Sequence, residues 1–152
     1  MSWLELDWNL IGHNLVFLGV AYLLALPIGW ERERRHGYAG LRTFPLVAVA
    51  ACAYMLIAQG YFETEESLSR VLQGLLTGIG FIGGGVILKS EHNIRGVATA
   101  ASIWATGAIG VAVALKRLEI ALVLSVLTLL TLRFLEPWKE RIRRYKGLSN
   151  DD

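Results

Sequence analysis

Five long apolar segments, separated by short polar or charged stretches, account for most of the chain. A helix rises 1.5 Å per residue, so about 17 to 25 apolar residues cross the hydrocarbon core of a bilayer. Each segment meets this length. The pattern predicts an all-α membrane bundle of five transmembrane helices, at about residues 10–30, 43–61, 71–88, 97–115 and 118–135.

The third segment combines apolar residues with an unusual number of glycines. No charged residue lies between Arg70 and Lys89. Glycines let neighbouring membrane helices approach closely, so that packing replaces the missing hydrophobic drive. We therefore expect this segment to be the central helix, with its glycines at helix-packing surfaces: Gly74, Gly78, Gly80, Gly83, Gly84 and Gly85.

Three of these glycines also match the dinucleotide-binding pattern G-x-G-x-x-G, namely Gly78, Gly80 and Gly83. That pattern binds a dinucleotide when a strand precedes it, a helix follows it, and an acidic residue stands about 20 positions further on. Here it lies inside an apolar segment, and residues 99–102 contain no carboxylate. Close helix packing is the favoured interpretation.

Loop charges predict the orientation of the bundle. Most basic loop residues fall on the side where the first segment ends, and only Arg70, Lys116 and Arg117 fall on the other side. Cytoplasmic loops of membrane proteins carry the excess of lysine and arginine. This rule predicts that the N-terminus lies outside and the C-terminus in the cytoplasm.

The composition agrees with a membrane protein of one domain. Of the 152 residues, 54% are hydrophobic and 18% are charged, whereas soluble domains carry about 25% charged residues. The first ten residues lack the basic region of a cleavable signal peptide, so we expect the first segment to be retained. We place a transmembrane domain at residues 1–136 and a short basic tail on the membrane surface at residues 137–152.

Catalytic and metal-binding patterns are lacking in the sequence. All three aspartates, Asp7, Asp151 and Asp152, lie outside the apolar segments, which excludes an intramembrane aspartyl pair. There is no H-E-x-x-H motif, and no histidine at mid-membrane depth could activate Ser102. The three histidines are far apart. We expect no enzyme activity, no metal site, no cofactor and no nucleic-acid partner.

Charged residues mark the predicted cytoplasmic ends of three segments: Glu31, Arg42 and Arg95. An unpaired charge is costly at the edge of an apolar span. One hypothesis is an ionic cluster of Glu31 with Arg42 or Arg95, which closes the cytoplasmic mouth or binds a ligand. The alternative is that all three reach toward lipid phosphates. Their neighbours are expected to face solvent or lipid: Arg32, Glu33, Arg34 and Arg35.

Two helix starts carry further expectations. Thr43 is the expected N-cap of the second helix, with Pro45 in its first turn. Arg95 and Gly96 precede the fourth helix, whose free N–H groups could hold an anion such as a lipid phosphate.

Hydroxyl groups recur along one face of the fourth segment, at Thr99, Ser102 and Thr106. They either line a conduit or form hydrogen bonds between packed helices, and the second interpretation is favoured. Trp104 falls near mid-membrane. We expect it to face the bundle, where its N–H needs an acceptor.

Three stretches carry a family resemblance: IGWERE at residues 28–33, GLRTFPLVAVAA at 40–51, and the block 70–110, which contains AASIWAT. Together they closely resemble the hydrophobic domain of the MgtC/SapB family of bacterial inner-membrane proteins. The resemblance implies five spans and a cytoplasmic C-terminus. Longer members add a soluble cytoplasmic domain, and we expect this chain to correspond to the hydrophobic domain alone.

The resemblance also implies a role in adaptation to low magnesium and, in pathogens, in survival inside host cells. We expect a non-enzymatic accessory or regulatory factor that acts on another integral membrane protein, such as ATP synthase or a magnesium transporter. The alternative is a small transporter or channel for a cation or another small solute. Expected partners are membrane lipids and a second copy of the chain, in a homodimer formed through small-residue faces.

Overall fold

In the computed structural model, which describes residues 7–36, 39–90 and 93–135, the chain is a bundle of five α-helices. The all-α prediction is confirmed. A two-stranded antiparallel hairpin, which the sequence did not predict, connects α3 to α4, and a π-helical turn continues α5. The elements are α1 (Trp8–His36), α2 (Thr43–Tyr61), α3 (Glu65–Gly85), β1 (Leu88–Ser90), β2 (Asn93–Arg95), α4 (Val97–Ala114), α5 (Leu118–Leu130) and the π-helix (Thr131–Leu135).

Helix α4 is the centre of the bundle and contacts all four other helices. Most of its residues are buried, whereas on α3 only Ile79 and Gly83 are buried. The expectation that the glycine-rich helix is central is therefore wrong. The residues of α4 itself are mostly small, so four neighbouring helices can approach it. Helix α3, in contrast, packs against α2 and α4 with one narrow face.

Four helices in the described ranges are long and apolar enough to cross a membrane: α1, α2, α4, and α5 with its π-helical continuation. Helix α3 does not meet this criterion. It begins at Glu65 rather than at the predicted Val71, so its first turns contain Glu65, Glu66 and Arg70. The structure thus supports four of the five predicted spans. The predicted orientation of the termini stays a prediction, and the tail at residues 137–152 lies outside the described residues.

Helix α1 does not end near Trp30 as predicted but continues to His36, with Pro27 inside it. A proline inside a helix removes one N–H and often kinks or ends the helix, but α1 remains helical on both sides of Pro27. The side chains of Glu31 and Arg35, one turn apart, form an ion pair of 2.6 Å that stabilises this last part. The charged motif after Trp30 therefore lies on a helix instead of in a loop.

The corner between α1 and α2 explains why the second helix starts without the predicted cap. Arg42, not Thr43, occupies the N-cap position, and no side chain caps the helix. The N–H of Phe44 instead donates to the carbonyl oxygen of Gly40, at 3.1 Å. The turn before α2 thus satisfies a helix N–H group that a capping side chain would otherwise bind.

Candidate functional site

Two charged residues near the end of α1 are buried inside the protein. Glu31 is 5% exposed and Arg32 is 2% exposed. The Nη2 group of Arg32 donates a hydrogen bond to the Oγ1 atom of Thr99 on α4. The expectation that Arg32 faces solvent or lipid is wrong, because Arg32 follows the fully buried Ile28 by one helical turn.

Glu31 pairs with a residue of its own helix. Its Oε1 atom accepts a hydrogen bond of 2.6 Å from Nε of Arg35, whose Nη2 group also donates to the carbonyl oxygen of Arg133 at 3.3 Å. Arg42 and Arg95 are exposed, and neither forms an ion pair with any residue in the described ranges. The structure therefore does not bring together the predicted cluster of Glu31 with Arg42 or Arg95.

Glu33 connects α1 to the turn that precedes α2. Its Oε2 atom accepts a hydrogen bond of 3.2 Å from the N–H of Leu41. A Cβ atom at Gly40 would collide with the Glu33 side chain, and one at Gly29 would lie 3.0 Å from the carbonyl oxygen of Gly40. The two glycines therefore let the turn lie directly on α1.

The three hydroxyl residues on α4 are buried, and their bonds lie within the protein. Thr99 accepts from Arg32, whereas Ser102 and Thr106 donate to main-chain carbonyls one turn earlier on α4, at 2.6 and 2.8 Å. The favoured interpretation, bonding between helices, therefore holds for Thr99 but not for Ser102 and Thr106. A further interhelical bond is made by Ser125 on α5.

Replacing Ser125 is expected to weaken the contact between α5 and α1. Ser125 is buried, and its Oγ atom donates to the carbonyl oxygen of the half-buried Leu24 at 2.7 Å. Ser125→Ala should lower the free energy of unfolding by about 1 kcal/mol, the typical net value of one hydrogen bond. Reversible unfolding in detergent micelles, followed by circular dichroism, would measure it.

Ser102→Ala is the matched control, because its hydroxyl bonds only to its own helix. Such back-bonding contributes little to helix stability, so this variant should unfold almost like wild type. If Ser125→Ala and Ser102→Ala lowered the free energy of unfolding equally, the stabilising role of the Ser125 hydrogen bond would be contradicted.

Trp104 was expected to face the bundle, but its side chain points away from it and is 54% exposed. At 100° per residue it lies about 160° from Ser102 around α4, on the side that the other helices leave open. The contacts of α4 with its neighbours lie elsewhere around the helix: a Cβ atom would collide with the side chain of Ile79 at Gly107, about 60° from Trp104, and with the carbonyl oxygen of Ala48 at Gly110, about 120° from it. A tryptophan cannot fit where two helices approach this closely.

Among the six glycines predicted to pack, only Gly83 is at a helix contact, with a Cβ position 3.3 Å from the carbonyl oxygen of Ala100. A Cβ atom added at any of the other five would meet nothing within 4 Å. Gly74 and Gly78 instead line an apolar groove of about 570 Å³ between α2 and α3, together with Tyr54. Within one copy of the chain, the predicted close packing is therefore found at Gly83 and not at the other five positions.

Comparison with known proteins identifies the family. The MgtC family profile matches residues 18–141, which include all the site residues described above. This chain belongs to the MgtC family.

Several curated relatives support this assignment. The chain is 41% identical over 104 residues to Protein MgtC of Brucella abortus (strain 2308), which covers 68% of this chain and 43% of that protein. It is 36% identical over 124 residues to Protein MgtC of Salmonella typhimurium (strain 14028s / SGSC 2262), covering 82% and 53%. It is 38% identical over 125 residues to "Putative magnesium transporter YhiD" of Escherichia coli (strain K12), covering 78% and 58%.

The chain spans about half the length of the curated relatives it matches. No solved structure matches it. In the described ranges of this MgtC-family chain, no three His, Cys, Asp or Glu side chains lie close enough to hold a metal ion. That the protein uses no metal and no cofactor stays a prediction.

Proposed function

We propose that this MgtC-family chain is a non-enzymatic accessory or regulatory protein of the bacterial inner membrane. It acts in adaptation to low magnesium by binding another integral membrane protein, such as ATP synthase or a magnesium transporter. Relatives named MgtC support the family part of this proposal. Four helices with the length and composition of membrane spans support the location.

The observation that carries the proposal is how the polar groups inside the bundle are used. Solute sites of many transporters lie near the bilayer midplane on interrupted helices. Here the central α4 is continuous from Val97 to Ala114. Its buried hydroxyls at Ser102 and Thr106 donate to carbonyl oxygens of their own helix, so they need no water or solute as an acceptor, which supports a role other than transport.

The proposed orientation puts the end of α1 in the cytoplasm. Exposed arginines concentrate at this end, where α1 and α5 finish and α2 and α4 begin, and they include Arg34, Arg42, Arg95 and Arg133. The positive-inside rule assigns such an end to the cytoplasm. Lipids and a second copy of the chain are the further proposed partners, and a monomeric mass in mild detergent and in lipid would contradict the homodimer.

Transport is the second candidate function, and one structural observation favours it. Glu31 and Arg32 are buried charges next to an apolar span, and ionisable residues in such places commonly mark ion pathways. The name of the E. coli relative assigns magnesium transport to that protein provisionally.

Ion flux into sealed proteoliposomes separates the two functions. Purified chain is reconstituted with trapped magnesium and pH indicators, beside Glu31→Gln, Arg42→Ala and protein-free vesicles. We expect no flux above the protein-free control, and we expect cells that lack the gene to grow poorly at limiting magnesium. Flux that wild type shows and Glu31→Gln loses would establish the transporter instead. Normal growth at limiting magnesium of cells that lack the gene would contradict the proposed role in adaptation to low magnesium.

A further inference from the structure

A polar cavity lies at the end of the bundle where α1 and the π-helix finish. It has a volume of about 350 Å³ and is lined by Glu31, Arg34, Arg35, Arg133 and Phe134. We call it the arginine cavity. Its lining carries three guanidinium groups and one carboxylate, an excess of two positive charges. We propose that the arginine cavity binds a phosphate group, supplied either by a phospholipid headgroup or by a soluble phosphate.

Arg35 is held in place before any ligand arrives. Its Nε donates to Oε1 of the buried Glu31 at 2.6 Å, and its Nη2 donates to the Arg133 carbonyl oxygen at 3.3 Å. A guanidinium group has five N–H donors, so these two bonds leave three for a ligand. Because Arg35 is already ordered, less conformational entropy is lost when it binds an anion.

Arg34 and Arg133 supply charge that the described part of the chain does not neutralise. Both side chains are exposed, and neither forms an ion pair within residues 7–36, 39–90 and 93–135. The π-helix Thr131–Leu135 buries Leu132 and brings the main chain of Arg133 against Arg35. Wide π-helical turns occur often at functional sites.

Phosphate matches this set of donors in geometry and in charge. Guanidinium groups bind phosphate oxygens through paired, charge-assisted hydrogen bonds, and the two excess charges match an anion of one or two negative charges. Exposed apolar side chains surround this end of the bundle, with Trp30, Phe134 and Leu135 between 55% and 60% exposed. Such a rim is typical of a membrane interface, which is why a lipid headgroup is one of the two sources.

The test measures the affinity of the full chain in an uncharged detergent. Phosphatidylglycerol and diacylglycerol, which has the same acyl chains but no phosphate, are titrated by native mass spectrometry, and inorganic phosphate by isothermal titration calorimetry. Arg35→Gln is expected to raise the Kd for the phosphate ligand about tenfold, as for the loss of a hydrogen bond to a charged group. Arg34→Gln is expected to raise it about fivefold, as for the loss of one exposed charged contact.

Arg70→Gln is the matched control. Arg70 forms an ion pair with Glu66 one turn earlier, at 2.7 Å, as Arg35 does with Glu31. It lies at the start of α3, at the opposite end of the bundle, so its loss should not change the Kd. Arg34→Gln breaks no bond seen in the structure, so it tests the cavity even if Arg35→Gln does not fold.

Each outcome decides the proposal, which does not depend on the proposed function. If both cavity variants lose affinity for phosphatidylglycerol alone, the ligand is a lipid headgroup. If they lose affinity for inorganic phosphate alone, the ligand is soluble. Losses for both, with mutual competition, identify the phosphate group itself. If folded Arg34→Gln and Arg35→Gln bind like wild type, or if wild type binds phosphatidylglycerol no better than diacylglycerol and binds no inorganic phosphate, the proposal is wrong.

Discussion

Gly110→Ala is expected to lower the free energy of unfolding by about 3 kcal/mol, the upper part of the usual range for overpacking a core. A methyl group at this position would collide with the main-chain carbonyl oxygen of Ala48 and would lie 3.0 Å from Cβ of Ala51. Both atoms belong to α2, the helix packed beside it. Relief requires α2 and α4 to move apart, because no side chain can rotate out of the way.

Two other glycine-to-alanine variants serve as comparisons for Gly110→Ala. At Gly107 the added methyl group would meet the end of the flexible Ile79 side chain, which can adopt another rotamer, so Gly107→Ala should cost less. At Gly78 it would meet nothing within 4 Å. Gly78→Ala should therefore be neutral, or stabilising by up to about 1 kcal/mol through helix propensity.

Unfolding in detergent micelles, followed by circular dichroism at increasing denaturant, would rank the variants. The expected order of stability is Gly78→Ala first, Gly107→Ala second and Gly110→Ala last. If Gly78→Ala were as damaging as Gly110→Ala, the side of α3 that contains Gly78 would be packed rather than open, and the expected order would be wrong.

The positions of the helices were largely predictable because long apolar runs end at polar residues. The predicted limits of the second helix agree with Thr43–Tyr61, and the fourth differs by one residue at its end. The predicted fifth helix, to Leu135, includes the π-helical turn, which the apolar pattern does not distinguish from α-helix. Apolar periodicity thus gives the type and extent of these elements, but not their local winding.

The centre of the bundle was predicted wrongly because glycine content alone does not show which glycines are in contact. The G-x-x-x-G spacing of α3 is compatible with close packing. Of its six glycines, however, only Gly83 is in contact, and a Cβ atom at the other five would meet open space. The useful signal was in α4. Its sequence, VATAASIWATGAIGVAVA, has small residues around its whole circumference, as a helix contacted on several sides requires.

The candidate site was only partly predictable. The pair of Glu31 with Arg35 follows from their spacing of four residues, once α1 is known to continue past Trp30. The burial of Arg32 also had a signal, because it extends the apolar stripe of Ala21, Ala25 and Ile28. The contact of Arg35 with the π-helix had no signal in the sequence, since it depends on how α1 and α5 pack.

Arg32→Ala is the second large effect we expect, with a loss of about 3 kcal/mol in the free energy of unfolding from cavity formation and a broken charged hydrogen bond. Arg32 is 2% exposed and is among the largest fully buried side chains of the described chain. Its guanidinium donates to Thr99, and so connects the end of α1 to the start of α4. The exposed neighbour Arg34, changed to alanine, is the control and should lose less than about 0.5 kcal/mol.

Arg32→Met separates the two parts of this loss. Methionine keeps most of the apolar stem that fills the space and removes only the charged group, so it should regain about 1–2 kcal/mol relative to Arg32→Ala. A buried charge is expensive near a membrane and is commonly retained for function. We therefore expect cells with a folded Arg32→Met protein to grow poorly at limiting magnesium. Normal growth of those cells would show that Arg32 serves only the packing of α1 on α4.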